Sequence, residues 1–167
     1  MRIFAPASAR QTDVGLFVLR AVSGSIFAAH GAQKLFTFGL DGVAGAFGGM
    51  GVPMAGVVGP AVAFLEFFGG LALVAGLLTR LVGVGLAANM LGAILLVHLP
   101  NGLFLPNGSE FALALFGAAA TLTLTGAGSF SVDAVLSRTL GKRSRTTTVE
   151  TSAPVHAGVS PRRNRAA

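Results

Sequence analysis

The chain has 167 residues, 53% of them hydrophobic and only 11% charged, with a formal net charge of +6 and no cysteine. A soluble domain carries roughly a quarter charged residues, so this balance suits a chain solvated largely by lipid. It excludes disulfides, thiolate metal sites and thiol chemistry carried by the chain itself. Nucleic acid is excluded as a partner too, because the basic residues lie outside the apolar runs and do not interleave with aromatics.

After an N-terminal segment, residues 1–12, the first apolar run extends from Asp13 to about Lys34. Arg20 interrupts it, and a cleaved signal peptide must keep its apolar core unbroken, so the run reads as a retained helix. Residues 37–52, "TFGLDGVAGAFGGMGV", are too rich in glycine to be expected as helix throughout. The second run covers about Pro53 to Leu78 and the third about Leu81 to Leu99. Only Thr79–Arg80 separates them, so they must be antiparallel neighbours. The next connection, "PNGLFLPNGS" at 100–109, repeats a Pro-Asn-Gly turn signal. The fourth run covers Glu110 to about Ala127. "SFSVDAVLSRTLG" then reads as a short amphipathic helix at the membrane surface, capped by Ser131. The remainder, 138–167, reads as a basic, disordered tail, polar from about Lys142.

Each run approaches the ~20 residues that cross ~30 Å of hydrocarbon, and in lipid only a helix satisfies its own backbone in such a run. The expected fold is therefore all-α: an integral membrane four-helix bundle over residues 13–137. Four spans place both ends of the chain and the Thr79–Arg80 turn on one side. That side holds Arg2, Arg10, Arg80, Arg138, Lys142, Arg143, Arg145, Arg162, Arg163 and Arg165, ten of the twelve Lys and Arg. The positive-inside rule then predicts cytoplasmic termini. Ala21, Ser25, Ala28 and Ala32 on the first span, and Gly69, Ala72 and Gly76 on the second, are the expected small-residue packing surface.

Lipid rejects charge, so Arg20, His30, Lys34, Glu66 and His98, with Asn89 beside them, must face the bundle interior, a cavity or the interface. At ~100° per residue, Arg20, His30 and Lys34 share one face of the first span. At ~1.5 Å per residue, Arg20 lies ~10 Å and Glu66 ~18 Å from the cytoplasmic side, a gap an arginine can bridge, so an Arg20–Glu66 ion pair is expected. His30 and His98 come out level near the outer face, at ~25 Å and ~27 Å, with Gln33, Lys34 and Glu110 beside them. These five form a candidate polar cluster. A quinone carbonyl needs a hydrogen-bond donor, and its reduction needs a proton source; histidine supplies both near neutral pH. Phe27, Phe36 and Phe104 are candidate apolar walls. Metal or bis-histidine haem ligation has less support, since no H-x₃-H spacing occurs.

Several separated stretches resemble the DoxX family of membrane proteins. "LRAVSGSIFAAHGAQKLF" is similar to the family's opening, with Arg20, Gly24, His30, Gly31, Gln33, Lys34, Leu35 and Phe36. "LEFFGGLALVAGLLTR" resembles its second span, with Glu66, Gly69, Gly70, Gly76, Leu77, Thr79 and Arg80. "VHLPNGLFLPNGSEFALAL" resembles the stretch holding His98, Asn101, Gly102 and Glu110, and "TGAGSFSVDAVL" the closing one, with Gly126, Gly128, Ser131 and Asp133. The resemblance spans about 14–137, with Ala127 where a proline is expected. It implies four transmembrane helices in the bacterial cytoplasmic membrane. It also implies a link to membrane redox complexes, since relatives include the DoxD-type subunit of thiosulfate:quinone oxidoreductase; it carries over no catalytic residues. The leading expectation is a subunit of a quinone-linked membrane oxidoreductase, set among lipid and partner subunits. The alternative is a non-catalytic assembly or scaffold subunit. A transporter is disfavoured, because no inverted repeat or pair of broken helices is evident.

Overall fold

The computed structural model describes residues 5–140, and every regular element among them is helical. Helix α1 (Ala9–Ala32) starts in a capping box: Ser8 Oγ accepts from the Gln11 N–H at 3.3 Å, and Gln11 Oε1 accepts from the Ser8 N–H at 2.8 Å. A π-helical stretch, Gln33–Phe38, continues it directly into α2 (Gly39–Gly49). The glycine-rich segment expected not to be helical throughout is thus helical across most of its length. Two features explain this. Gly39 takes φ +70°, which resets the chain after the π stretch, and Val43 and Ala44 pack on Gly59 of the next helix. Tertiary packing overrides the poor helix propensity of glycine here.

Helix α3 (Ala55–Ala75) ends on Gly76 in the left-handed conformation, and α4 (Thr79–Ala93) follows after two residues. The π stretch Ile94–His98 and a 3₁₀ turn, Leu99–Asn101, lengthen α4. Helix α5 (Glu110–Thr125) follows the 102–109 loop, and residues 132–140 are again helical. The stretches 9–49, 55–75 and 79–101 are each long and apolar enough to cross a membrane; α5 is apolar but has 16 residues. Ser131 Oγ accepts from the Ala134 N–H at 3.2 Å, the predicted cap of the last helix. The expected tail beyond Leu140 lies outside the described residues.

The tightest seam joins α1 to α3, which run antiparallel. A Cβ on Gly24 would stand 2.8 Å from the Gly70 carbonyl oxygen. One on Gly31 would strike the backbone of Phe67, and one on Gly70 the backbone of Ala28. In lipid, van der Waals contact between backbones does the work that hydrophobicity does in water, so glycine is required at these crossings. The expected stripe is therefore corrected. Ala28 lies in the seam, but its partners there are Gly24 and Gly31, whereas Ser25 is exposed. Gly69 turns to Val82 and Leu86 of α4 instead. Phe27, Leu73, Leu86, Met90, Leu115 and Leu122 fill the centre of the bundle.

One end of the bundle is closed by a polar knot. Asp133 is the remote cap of α4: its carboxylate accepts from the N–H groups of Leu78 at 2.8 Å and Thr79 at 2.9 Å. The Asp133 N–H donates to the Gly76 carbonyl at 2.9 Å. Asp13 of α1 likewise accepts from the Ser129 N–H at 2.9 Å and from its hydroxyl. The helix ends here thus find partners for donors and acceptors that would otherwise be left open.

Candidate functional site

Arg20 belongs to this knot and not to Glu66. It is 0% exposed. Its guanidinium donates to the carbonyls of Leu73 at 3.2 Å, Val74 at 3.4 Å and Phe130 at 2.5 Å, and it lies over the Phe17 ring at 5.7 Å. The expected Arg20–Glu66 pair is not formed. The cause is the direction of helical side chains, which lean toward the N-terminus of their own helix. On antiparallel helices, Arg20 of α1 leans toward the C-terminal end of α3, while Glu66 of α3 leans the other way. The two diverge.

The same rule brings Lys34 and Glu66 together. Lys34, C-terminal to α1, leans back along the seam, and Glu66 leans out to meet it. The Lys34 ammonium donates to Glu66 Oε2 in a direct ion pair. The second carboxylate oxygen, Oε1, accepts from Asn89 Nδ2 of α4 at 3.0 Å. The side chains of Lys34 and Glu66 are 19% and 5% exposed. A buried carboxylate is costly unless paired and hydrogen-bonded, and here one ammonium and one amide share that duty. In the sequence Asn89 is only a polar companion. Its partner became visible once α3 and α4 were packed.

The triad opens onto a cavity of about 500 Å³ lined by residues of all five helices. That volume falls within the usual range for small-molecule sites. Most of the wall is apolar, including Phe27 of α1, Phe47 of α2, Val62 of α3, Met90 of α4 and Leu115 of α5. The ionisable lining groups are His30, Lys34, Glu66 and His98. Among the described residues no three of His, Asp and Glu converge as a metal set would require.

Of the predicted outer cluster, the structure brings His30, Lys34 and His98 to this one cavity. His30 also meets the Phe111 ring, with centroids 5.8 Å apart. Gln33 is exposed and is not part of the wall. Glu110 turns away: its Oε1 accepts from the Leu105 N–H at 2.9 Å and holds the 102–109 loop. Its place at the start of α5 explains this, because a carboxylate there favours free backbone N–H groups nearby. Of the three expected aromatic walls, Phe27 lines the cavity. Phe36 stacks edge-on against Phe67 at 5.5 Å, and Phe104 is 76% exposed. Phe47 and Phe111 take their places. Phe47 was missed because its segment was not expected to be helical.

Comparisons with known proteins converge on one group. The DoxX family model matches residues 15–99, and the model described as "TQO small subunit DoxD" matches residues 58–153. The chain is 35% identical over 121 residues to a Bacillus subtilis protein named "Putative oxidoreductase CatD", spanning 72% of this chain and 86% of that one. It is 33% identical over 132 residues to "Inner membrane protein YqjF" of Escherichia coli, spanning 75% and 95%. No solved structure matches the chain.

Proposed function

The chain belongs to the DoxX family, a group of multi-pass bacterial inner-membrane proteins, and we propose that it is the membrane subunit of a quinone-linked redox complex. The observation that carries this reading is the Lys34–Glu66–Asn89 triad set into the wall of a largely apolar cavity inside a membrane bundle. The names of the DoxD subunit and of CatD point the same way.

The residues suit a quinone headgroup. The walls are apolar, the volume is adequate, and the polar groups are few and grouped on one side. A quinone supplies the capacity to take up two electrons and two protons. The chain's part is to bind, orient and manage protons. Lys34 holds its ammonium at the cavity wall, where it can donate to a carbonyl oxygen. Glu66 can hold or release a proton at a carboxylate oxygen, and Lys34 and Asn89 fix where that oxygen points. His30 offers a second donor beside the Phe111 ring. In this reading the electrons come from a partner subunit, in keeping with the small-subunit description of the matching DoxD model. Both termini lie in the cytoplasm in this reading, so the Lys34–Glu66 end faces outward.

The test is gentle purification of the full chain with its partners, followed by extraction and mass spectrometry of bound quinone. Retained quinone in the wild type, lost in Glu66→Gln and Lys34→Met proteins of unchanged elution profile, is the expected result. No quinone but a stoichiometric partner protein would overturn it in favour of an assembly subunit. Alkaline phosphatase fused after residue 105 should be active; an inactive fusion would reverse the orientation.

A further inference from the structure

The central cavity has a neighbour. A second hollow, of about 410 Å³, lies at the end of the bundle formed by the 98–109 segment, walled by Asn101 and Asn107 among others. The two hollows share four residues, Met50, Leu96, Val97 and His98. Three of these are apolar, so His98 is the polar side chain common to both. His98 Nδ1 lies 3.0 Å from the Asn107 carbonyl oxygen. A carbonyl only accepts, so Nδ1 carries the hydrogen, and Nε2 is the ring nitrogen left to meet water. Asn101 Nδ2 donates to the Val97 carbonyl at 3.1 Å, which ties the loop to the partition. On the inner side of the partition stand His30, Lys34 and Glu66. At the opposite end of the bundle, Phe27 and Leu73 are packed at 1% and 0% exposure, and the Arg20 knot lies beyond them.

We propose that His98 is the gate through which water and protons reach the Lys34–Glu66 pair, from the side of the membrane faced by the 98–109 segment alone. Met, Leu and Val offer water no hydrogen bond, and a water chain inside a protein needs polar partners along its length. His98 supplies that partner where the two hollows meet, and the Asn107 carbonyl holds its ring in place. His98 is thus a positioning residue, and Glu66 exchanges protons with one compartment only. That this proton serves redox chemistry rests on the reading above; the access route does not.

The cysteine-free chain is a ready background for the test. Ala112 is buried at 5% exposure and lines the central cavity, so a thiol in the single variant Ala112→Cys is reached by way of that cavity. Ala93→Cys is a second cavity reporter, and Leu103→Cys marks the side of the loop. Ala119→Cys, buried but outside the cavity wall, is the control. Right-side-out and inverted membrane vesicles are treated with a small, charged methanethiosulfonate. The cavity thiols should react from the same side as Leu103→Cys, and Ala119→Cys should not react. Adding His98→Phe should slow the cavity reaction about tenfold, the scale of one lost hydrogen-bonding group, and His98→Gln should restore it. Labelling from the other side, an unchanged rate in His98→Phe, or reaction only with a lipid-soluble maleimide would overturn the proposal. The assay reads thiol accessibility and not quinone retention, so its failure is separate from failure of the quinone reading.

Discussion

The two ends of the bundle handle buried charge in opposite ways. At the closed end, the Arg20 guanidinium donates to the backbone carbonyls of Leu73, Val74 and Phe130. At the open end, Lys34 pairs with Glu66, whose other oxygen is held by Asn89, and the triad borders a hollow of about 500 Å³. An arginine shared among backbone carbonyls fixes the chain, because those carbonyls have few other partners. An ammonium and a carboxylate at a cavity wall remain available to a ligand. Intramembrane charge is therefore structural or chemical according to what surrounds it, not according to residue type.

Variants can pull the two ends apart. Arg20→Leu strands acceptors inside the membrane and should have the largest effect, a loss of about 3–5 kcal/mol, read as collapse of the monodisperse elution peak after mild heating in detergent. Asp133→Ala removes the cap of α4 and should cost about 1–2 kcal/mol in the same assay. Gly76→Ala forces an L side chain into φ +70° and onto the guanidinium of Arg20, and should cost about 1–3 kcal/mol. Glu66→Gln should cost less than Arg20→Leu, about 1–3 kcal/mol, because one amide oxygen still accepts while the part-exposed Lys34 loses its counter-charge, and it should retain no quinone. If Glu66→Gln is as unstable as Arg20→Leu, the open end is structural as well and the contrast fails. His30→Phe should have the smallest effect, since the packing on Phe111 survives; retention should fall only modestly.

Much of the architecture is legible in the sequence. Hydropathy placed the apolar runs near the observed helices, and Ser131 announced the cap of the last one. The seam could have been found as well. Gly24, Gly31 and Gly70 were visible as glycines, but a count of small residues at i, i+4 spacing chose the adjacent phase. Glycine differs from alanine at a backbone crossing because only glycine permits contact. The Arg20–Glu66 expectation failed for a simple reason. Cα depth alone pairs Arg20 with Glu66, whereas the opposite lean of side chains on antiparallel helices separates them. With it, Lys34 is the natural partner of Glu66.

By itself, the sequence determined that this is a multi-helix membrane protein, which residues lipid would expel from its surface, and that no thiol chemistry belongs to it. Those conclusions follow from transfer free energies and composition, which need no partner. Tertiary structure alone decided which charges meet, that Asn89 holds Glu66, that Gln33 and Glu110 leave the site, and that a glycine-rich stretch folds into a helix bringing Phe47 to the cavity. Each depends on how two helices lie against each other, and packing geometry is a property of the pair.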